Sequence, residues 1–130
     1  MTRTPKTDKT VGEVVAAELN ENAEFRRDWE QQAPARLVAA KLIEYRYDHD
    51  MSQRQLADLV GVKQPQIARW ESGESLPQPE NLSRLAGKLK LEFVFSYAPA
   101  GREPKQITRK TRESAATYAE GDGVVRFAAR

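Results

Sequence analysis

The sequence predicts a mainly α-helical fold: a small helical bundle, with a helical extension before it and a strand or tail behind it, in 130 residues. Three observations predict it. Ser52 to Gly73, SQRQLADLVGVKQPQIARWESG, encodes two short helices joined by a tight glycine turn. Apolar residues recur at helical spacing on both sides of that stretch. From Leu91 onward the apolar period falls to two, which is the signature of a strand.

Residues 1–9 are polar and are expected to be a flexible N-terminus. Thr10 and Glu13 form a capping box ahead of Val11, Val14, Val15 and Leu19, so a helix is expected near 11–20. Asn22 caps a second helix, in which Phe25 and Trp29 sit one turn apart among charged residues. Pro34 suits the opening of a third, about 35–48, with Leu37, Val38, Leu42 and Tyr45 inward.

Ser52 with Gln55 makes another capping box, so the first motif helix starts at Gln53. Leu56, Leu59 and Val60 supply its apolar face, and Ala57 is small enough for a second helix to cross closely. Gly61 ends it most cheaply in a left-handed turn. The second motif helix fits Gln64 to Ser72, with Pro65 tolerated in its first turn, Ile67 and Trp70 inward, and Gly73 as its stop. Pro79 then opens a helix whose Leu82, Leu85 and Leu89 close the core against Ile67 and Leu56.

Leu91, Phe93, Phe95 and Tyr97 alternate with Glu92, Val94 and Ser96, giving a strand with one apolar face. A lone strand is not stable in water, so it needs a partner from its own tail, a second copy or another protein. Residues 99–113 read as a basic linker. Beyond them Gly121, Asp122 and Gly123 can turn a hairpin between Tyr118 and the Val124 to Phe127 run. A disordered tail fits this stretch equally, and Ser114 to Glu120 equally suits a short helix. The expected divisions are thus 1–9, a helical extension 10–33, a helical domain with its terminal strand 34–98, and a basic tail 99–130.

Composition narrows the function classes. Without cysteine there are neither disulfides nor thiolate metal sites. No apolar run approaches the roughly 18 residues of a membrane span, and MTRTPKTDKT lacks the apolar centre of a secretory signal, so the expected location is cytoplasmic. The net charge of +2 is unevenly placed: −2 over residues 1–32, +1 over 33–98 and +3 over 99–130. That asymmetry suggests different partners for the two ends. The single histidine, His49, stands between Asp48 and Asp50 and reads as a solvated helix exit. No phosphate-binding glycine loop, nucleophile elbow or HExxH spacing occurs, so neither an enzyme nor a cofactor is expected.

The outward face of the second motif helix carries Gln64, Gln66 and Arg69. Glutamine pairs bidentately with adenine and arginine with guanine in the major groove, so this face has the chemistry to read bases. The stretch resembles the Cro and lambda-repressor type helix-turn-helix, the XRE family, over roughly residues 36–90, and implies a lambda-repressor-like fold. The resemblance places base contacts on Gln64, Gln66 and Arg69, phosphate contact and bracing on Gln53, and backbone proximity on Lys63 and Ser72. It pairs Arg46 with Glu71 as a structural ion pair. Two departures stand out. Lys63 replaces the usual Ser or Thr cap, weakening the helix start by roughly 1 kcal/mol. Pro77 and Pro79 remove backbone donors where relatives hold phosphate.

The FRRDWE segment, Phe25 to Glu30, ahead of such a domain resembles HigA-like antitoxins. That resemblance implies a homodimer on an inverted-repeat operator in double-stranded DNA, and a RelE/HigB-like toxin partner held through Phe25, Asp28 and Trp29. Apolar anchors within an acidic rim suit a basic, RNA-gripping protein. The alternative for Phe25 and Trp29 is packing onto the third helix. For the whole chain, the alternatives are a stand-alone regulator, or an adaptor that uses the fold without reading bases.

Overall fold

The computed structural model describes residues 10–102 and 114–130. The expectations for residues 1–9, and for most of the basic linker, fall outside the described residues. Among the described residues, six helices are followed by a three-stranded sheet: α1 (Val11–Glu21), α2 (Ala23–Gln31), α3 (Ala33–Asp48), α4 (Gln53–Val60), α5 (Gln64–Glu71), α6 (Pro79–Leu89), β1 (Phe93–Pro99), β2 (Ser114–Glu120) and β3 (Gly123–Ala129).

The helix starts follow the local chemistry. The Thr10 hydroxyl accepts from the Glu13 amide at 3.1 Å, and Asn22 Oδ1 accepts from the Phe25 amide at 3.0 Å. At Ser52 the capping box is complete in both directions, 3.1 Å to the hydroxyl and 2.8 Å back to the Gln55 side chain. Gly61 ends α4 at φ 87°. The Gly61 and Val62 amides both bond the Ala57 carbonyl, at 2.8 and 3.0 Å. A residue with a Cβ resists that left-handed backbone, which is why the short turn is built on glycine.

The core is formed by Val38 and Leu42 of α3, Leu56, Ala57 and Val60 of α4, Ile67 and Trp70 of α5, and Leu82, Leu85 and Leu89 of α6, joined by Phe127 and Ala129 of β3. Leu37 and Tyr45 lie at its margin. Leu59, expected on the apolar face of α4, is exposed, because the cluster closes over the neighbouring positions Leu56 and Val60. α1 and α2 bury no residue fully, and Val11 of α1 is 81% exposed.

The sheet order is β1-β3-β2, with β3 antiparallel to both neighbours. β1 therefore finds its partner within its own chain. Phe95 and Ala116 flank Phe127, and Tyr97 and Tyr118 flank Val125. The β1 to β3 ladder runs on through Glu92 and Arg130, whose backbones exchange bonds of 2.6 and 3.0 Å and whose side chains form an ion pair.

Ser114 to Glu120 is a strand rather than a short helix, because each of its residues has a partner on β3. Its three alanines carry little strand preference locally, and the pairing decides. Gly121, at φ 57°, stands first in the two-residue connection to β3, where a II′ hairpin turn requires glycine. Residues 99–130, set apart by composition as a basic tail, thus supply two strands. Phe127 and Ala129 from this segment reach the core.

Tyr118 is buried in this sheet. Burial first, then the charges of Glu120 and Tyr97, raise its hydroxyl above the ordinary value of 10.0. The folded protein keeps this proton where the unfolded chain releases it. The corresponding stability is present below about pH 10 and is lost as pH rises through the folded value. Tyr118→Phe should flatten the alkaline fall in stability, measured by urea unfolding between about pH 9 and 11.

Candidate nucleic-acid interface

α4 and α5 meet at the Gly61 turn, with Ile67 and Trp70 holding α5 on the core. Lys63 occupies the cap position of α5 and makes no side-chain cap bond, as its chemistry dictates. Pro65 lies in the first turn, where its missing N–H costs nothing.

Arg46, at the end of α3, reaches the end of α5. Its Nε donates to Glu71 Oε2 at 2.6 Å, its Nη2 to Glu71 Oε1 at 2.7 Å and its Nη1 to the Met51 carbonyl at 3.2 Å. The Glu71 side chain is 5% exposed. The hydrogen bond to this carboxylate raises the Arg46 pKa above its usual value, outweighing desolvation. The pair implied by the resemblance is thus a bidentate fork that ties α3 to α5 and to the loop before α4.

From Glu71 the bonding continues toward the outer face. Gln53 Nε2 donates to Glu71 Oε1 at 3.2 Å, and Gln64 Nε2 donates to Gln53 Oε1 at 2.8 Å. Gln53 and Gln64 are both half-buried. The structure therefore joins two of the expected site residues to each other and to the ion pair.

Arg69 is exposed, and no hydrogen bond of its guanidinium appears among the described residues. Gln66 and Arg69 line a shallow cleft with Ser75, Gln78 and Asn81. Sequence reasoning missed Gln78 and Asn81. Their signal is two amide side chains at the start of α6, beside prolines that supply no backbone donor. The Ser72 hydroxyl is already engaged, donating to the Arg69 carbonyl at 2.6 Å and accepting from the Glu74 amide at 3.3 Å. Arg84 Nη1 donates to the Gly61 carbonyl at 3.3 Å, linking the motif turn to α6.

The residues expected to hold a protein partner lie elsewhere, on α2. Phe25 and Trp29 stack on each other with centroids 6.2 Å apart, and the Arg36 guanidinium of α3 lies 3.8 Å over the Trp29 ring. Burial lowers the Arg36 pKa. Asp28 beside them is exposed. His49 Nδ1 meets the Tyr45 carbonyl at 2.9 Å and its ring stacks on Tyr45 at 3.9 Å.

Two helices set at a glycine turn, the second presenting polar side chains and the first braced beneath it, define a helix-turn-helix domain. Residues 42–95 match the family model described as helix-turn-helix. A protein of Haemophilus influenzae, named as an uncharacterized HTH-type transcriptional regulator, is 49% identical over 49 residues, which make up 38% of this chain and 50% of that protein. The match thus spans about half the length of that relative. No solved structure matches the chain.

Proposed function

We propose that this chain is a sequence-specific DNA-binding transcriptional repressor. The observation that carries this reading is the unengaged Arg69 beside Gln64 and Gln66 on a helix fixed from beneath by the Arg46 and Glu71 fork. In the proposed complex α5 enters the major groove. Gln64, Gln66 and Arg69 read base edges, while Gln53, Lys63 and Ser72 sit against the phosphate backbone. As a homodimer the chain would place two α5 helices roughly 34 Å apart on an inverted repeat. In support of association, β1 is an edge strand without charged residues, and Tyr97 on it is 73% exposed.

The finer reading is the antitoxin of a toxin-antitoxin pair, which neutralises a RelE/HigB-like RNase toxin and represses their shared operon. Its support is the acidic character of α1 and α2, where Glu13, Glu18, Glu21, Glu24, Asp28 and Glu30 face only Arg26 and Arg27 in the count of charges. One observation favours the stand-alone regulator instead: the Trp29 ring is occupied by Arg36 and serves the fold.

Footprinting on the DNA upstream of its own gene tests the repressor reading, and absence of protection against a nonspecific control would sink it. Arg69→Ala is expected to weaken operator binding by about 1–3 kcal/mol and relax preference at one base pair, whereas Lys63→Ala should weaken all sequences alike. Equal loss on operator and random DNA for Arg69→Ala would remove Arg69 from the reading set. Co-expression with the adjacent small reading frame tests the antitoxin reading. Growth rescue and a stable complex support it, and a non-toxic neighbour that does not co-purify overturns it.

A further inference from the structure

Arg36 of α3 stands between two elements. On one side its guanidinium lies 3.8 Å from the centre of the Trp29 ring, on α2. On the other its stem runs beside the end of α5: a Cβ built on Gly73 would lie 3.5 Å from Arg36 Cγ and 4.0 Å from Ala39 Cβ. Gly73 is buried there at φ 75°, and its amide donates to the Trp70 carbonyl at 3.2 Å. The Ser72 hydroxyl spans the same corner, from the Arg69 carbonyl to the Glu74 amide. The backbone that leaves α5 therefore packs on Arg36 and Ala39, within about one turn of Arg69 and Ser72.

An arginine is a costly choice for this place. Its Nη1 is buried and has no hydrogen-bond partner among the described residues, and an unmade bond at a buried charged donor destabilises the fold. An apolar side chain would fill the space between α2 and α5 without that cost. What it would lack is the planar cation that an indole face holds in one place. A local rule broken without a gain in stability marks a functional position. α1 and α2 bury no residue fully, so they add little to the core, and Trp29 and Arg36 both lie outside the matched residues 42–95. We propose that Trp29 and Arg36 are positioning residues for DNA reading: Trp29 holds the Arg36 side chain, and Arg36 holds Gly73 and so the end of α5 that carries Arg69 and Ser72. This rests on the DNA-reading function above and deepens it, since it makes the helical extension part of the reading unit.

The test compares the whole wild-type chain with Trp29→Leu, Trp29→Tyr and Arg36→Ala. An operator is first selected with the wild type from a randomised duplex DNA library. Binding to it, amide hydrogen exchange by NMR and urea unfolding are then measured for each protein. Trp29→Leu and Arg36→Ala should weaken operator binding about fivefold. They should also speed exchange of the Gly73 and Glu74 amides about tenfold while leaving those of Leu56 and Leu85 in the core unchanged. Trp29→Tyr keeps an aromatic face for the cation and should stay within about twofold of the wild type in both measurements. Unchanged exchange at Gly73 and Glu74, or unchanged operator affinity, in Trp29→Leu and Arg36→Ala overturns the proposal. So does exchange at Leu56 and Leu85 that rises in step with Gly73, which is the mark of a general loss of stability, and so does a Trp29→Tyr variant as weak as Trp29→Leu. A wild-type protein that selects no operator overturns the DNA-reading function itself, and this proposal with it.

Discussion

Phe127→Ala is expected to lower the unfolding free energy by about 3–5 kcal/mol, the usual cost of emptying a fully buried phenylalanine site. Phe127 is fully buried, stacks on Phe93 at 6.2 Å and meets Phe95 at 4.6 Å. It also touches the same cluster as Leu42, Leu56 and Trp70. Against a typical total of about 5–15 kcal/mol, this loss is a large share. Urea unfolding measures it. A drop below about 1 kcal/mol would mean that the sheet is not part of the cooperative unit that holds the motif helices.

Arg46→Ala is expected to cost nearly as much, about 3 kcal/mol or more, for a different reason. It strands the Glu71 carboxylate, 5% exposed, with only the Gln53 amide as its remaining hydrogen-bond partner among the described residues. The energy at stake is mainly that of an uncompensated buried charge rather than the worth of the pair. Arg46→Met combined with Glu71→Leu should therefore recover most of the lost stability. If the double variant is no more stable than Arg46→Ala, measured by the same urea unfolding, the fork contributes net attraction and this account fails.

The two helices of the motif are readable from sequence because their determinants are local. The capping box at Ser52, the left-handed glycine at 61 and the inward spacing of Ile67 and Trp70 all act within a few residues. The Arg46 and Glu71 fork is nonlocal and came instead through the XRE resemblance. The strand Ser114–Glu120 was not decidable, since AAT and its neighbours carry little preference of their own and adopt the conformation that β3 dictates. The structural weight of β3 was hidden for a related reason. VVRFAA is a short apolar run near a basic stretch, and only the three-dimensional fold shows Phe127 in one core cluster with Trp70. Within the site, the face of α5 was readable, whereas the amide chain joining Gln64 to Glu71 was not. That chain depends on the distance between two helices, which periodicity does not encode.

The strand order carries a consequence for how the molecule comes into being. β3, the central strand, is synthesised after every other described element, yet among the described residues β1 has β3 as its sole strand neighbour. While the ribosome is still making residues 100–122, the helices can collapse, but Phe93 and Phe95 stand on a strand whose β3 partner does not yet exist. The helical half can thus form early, through contacts close in sequence, and the sheet must wait for a late, long-range closure. Nascent chains halted before Gly123 should accordingly be the ones most prone to aggregate and to recruit chaperones.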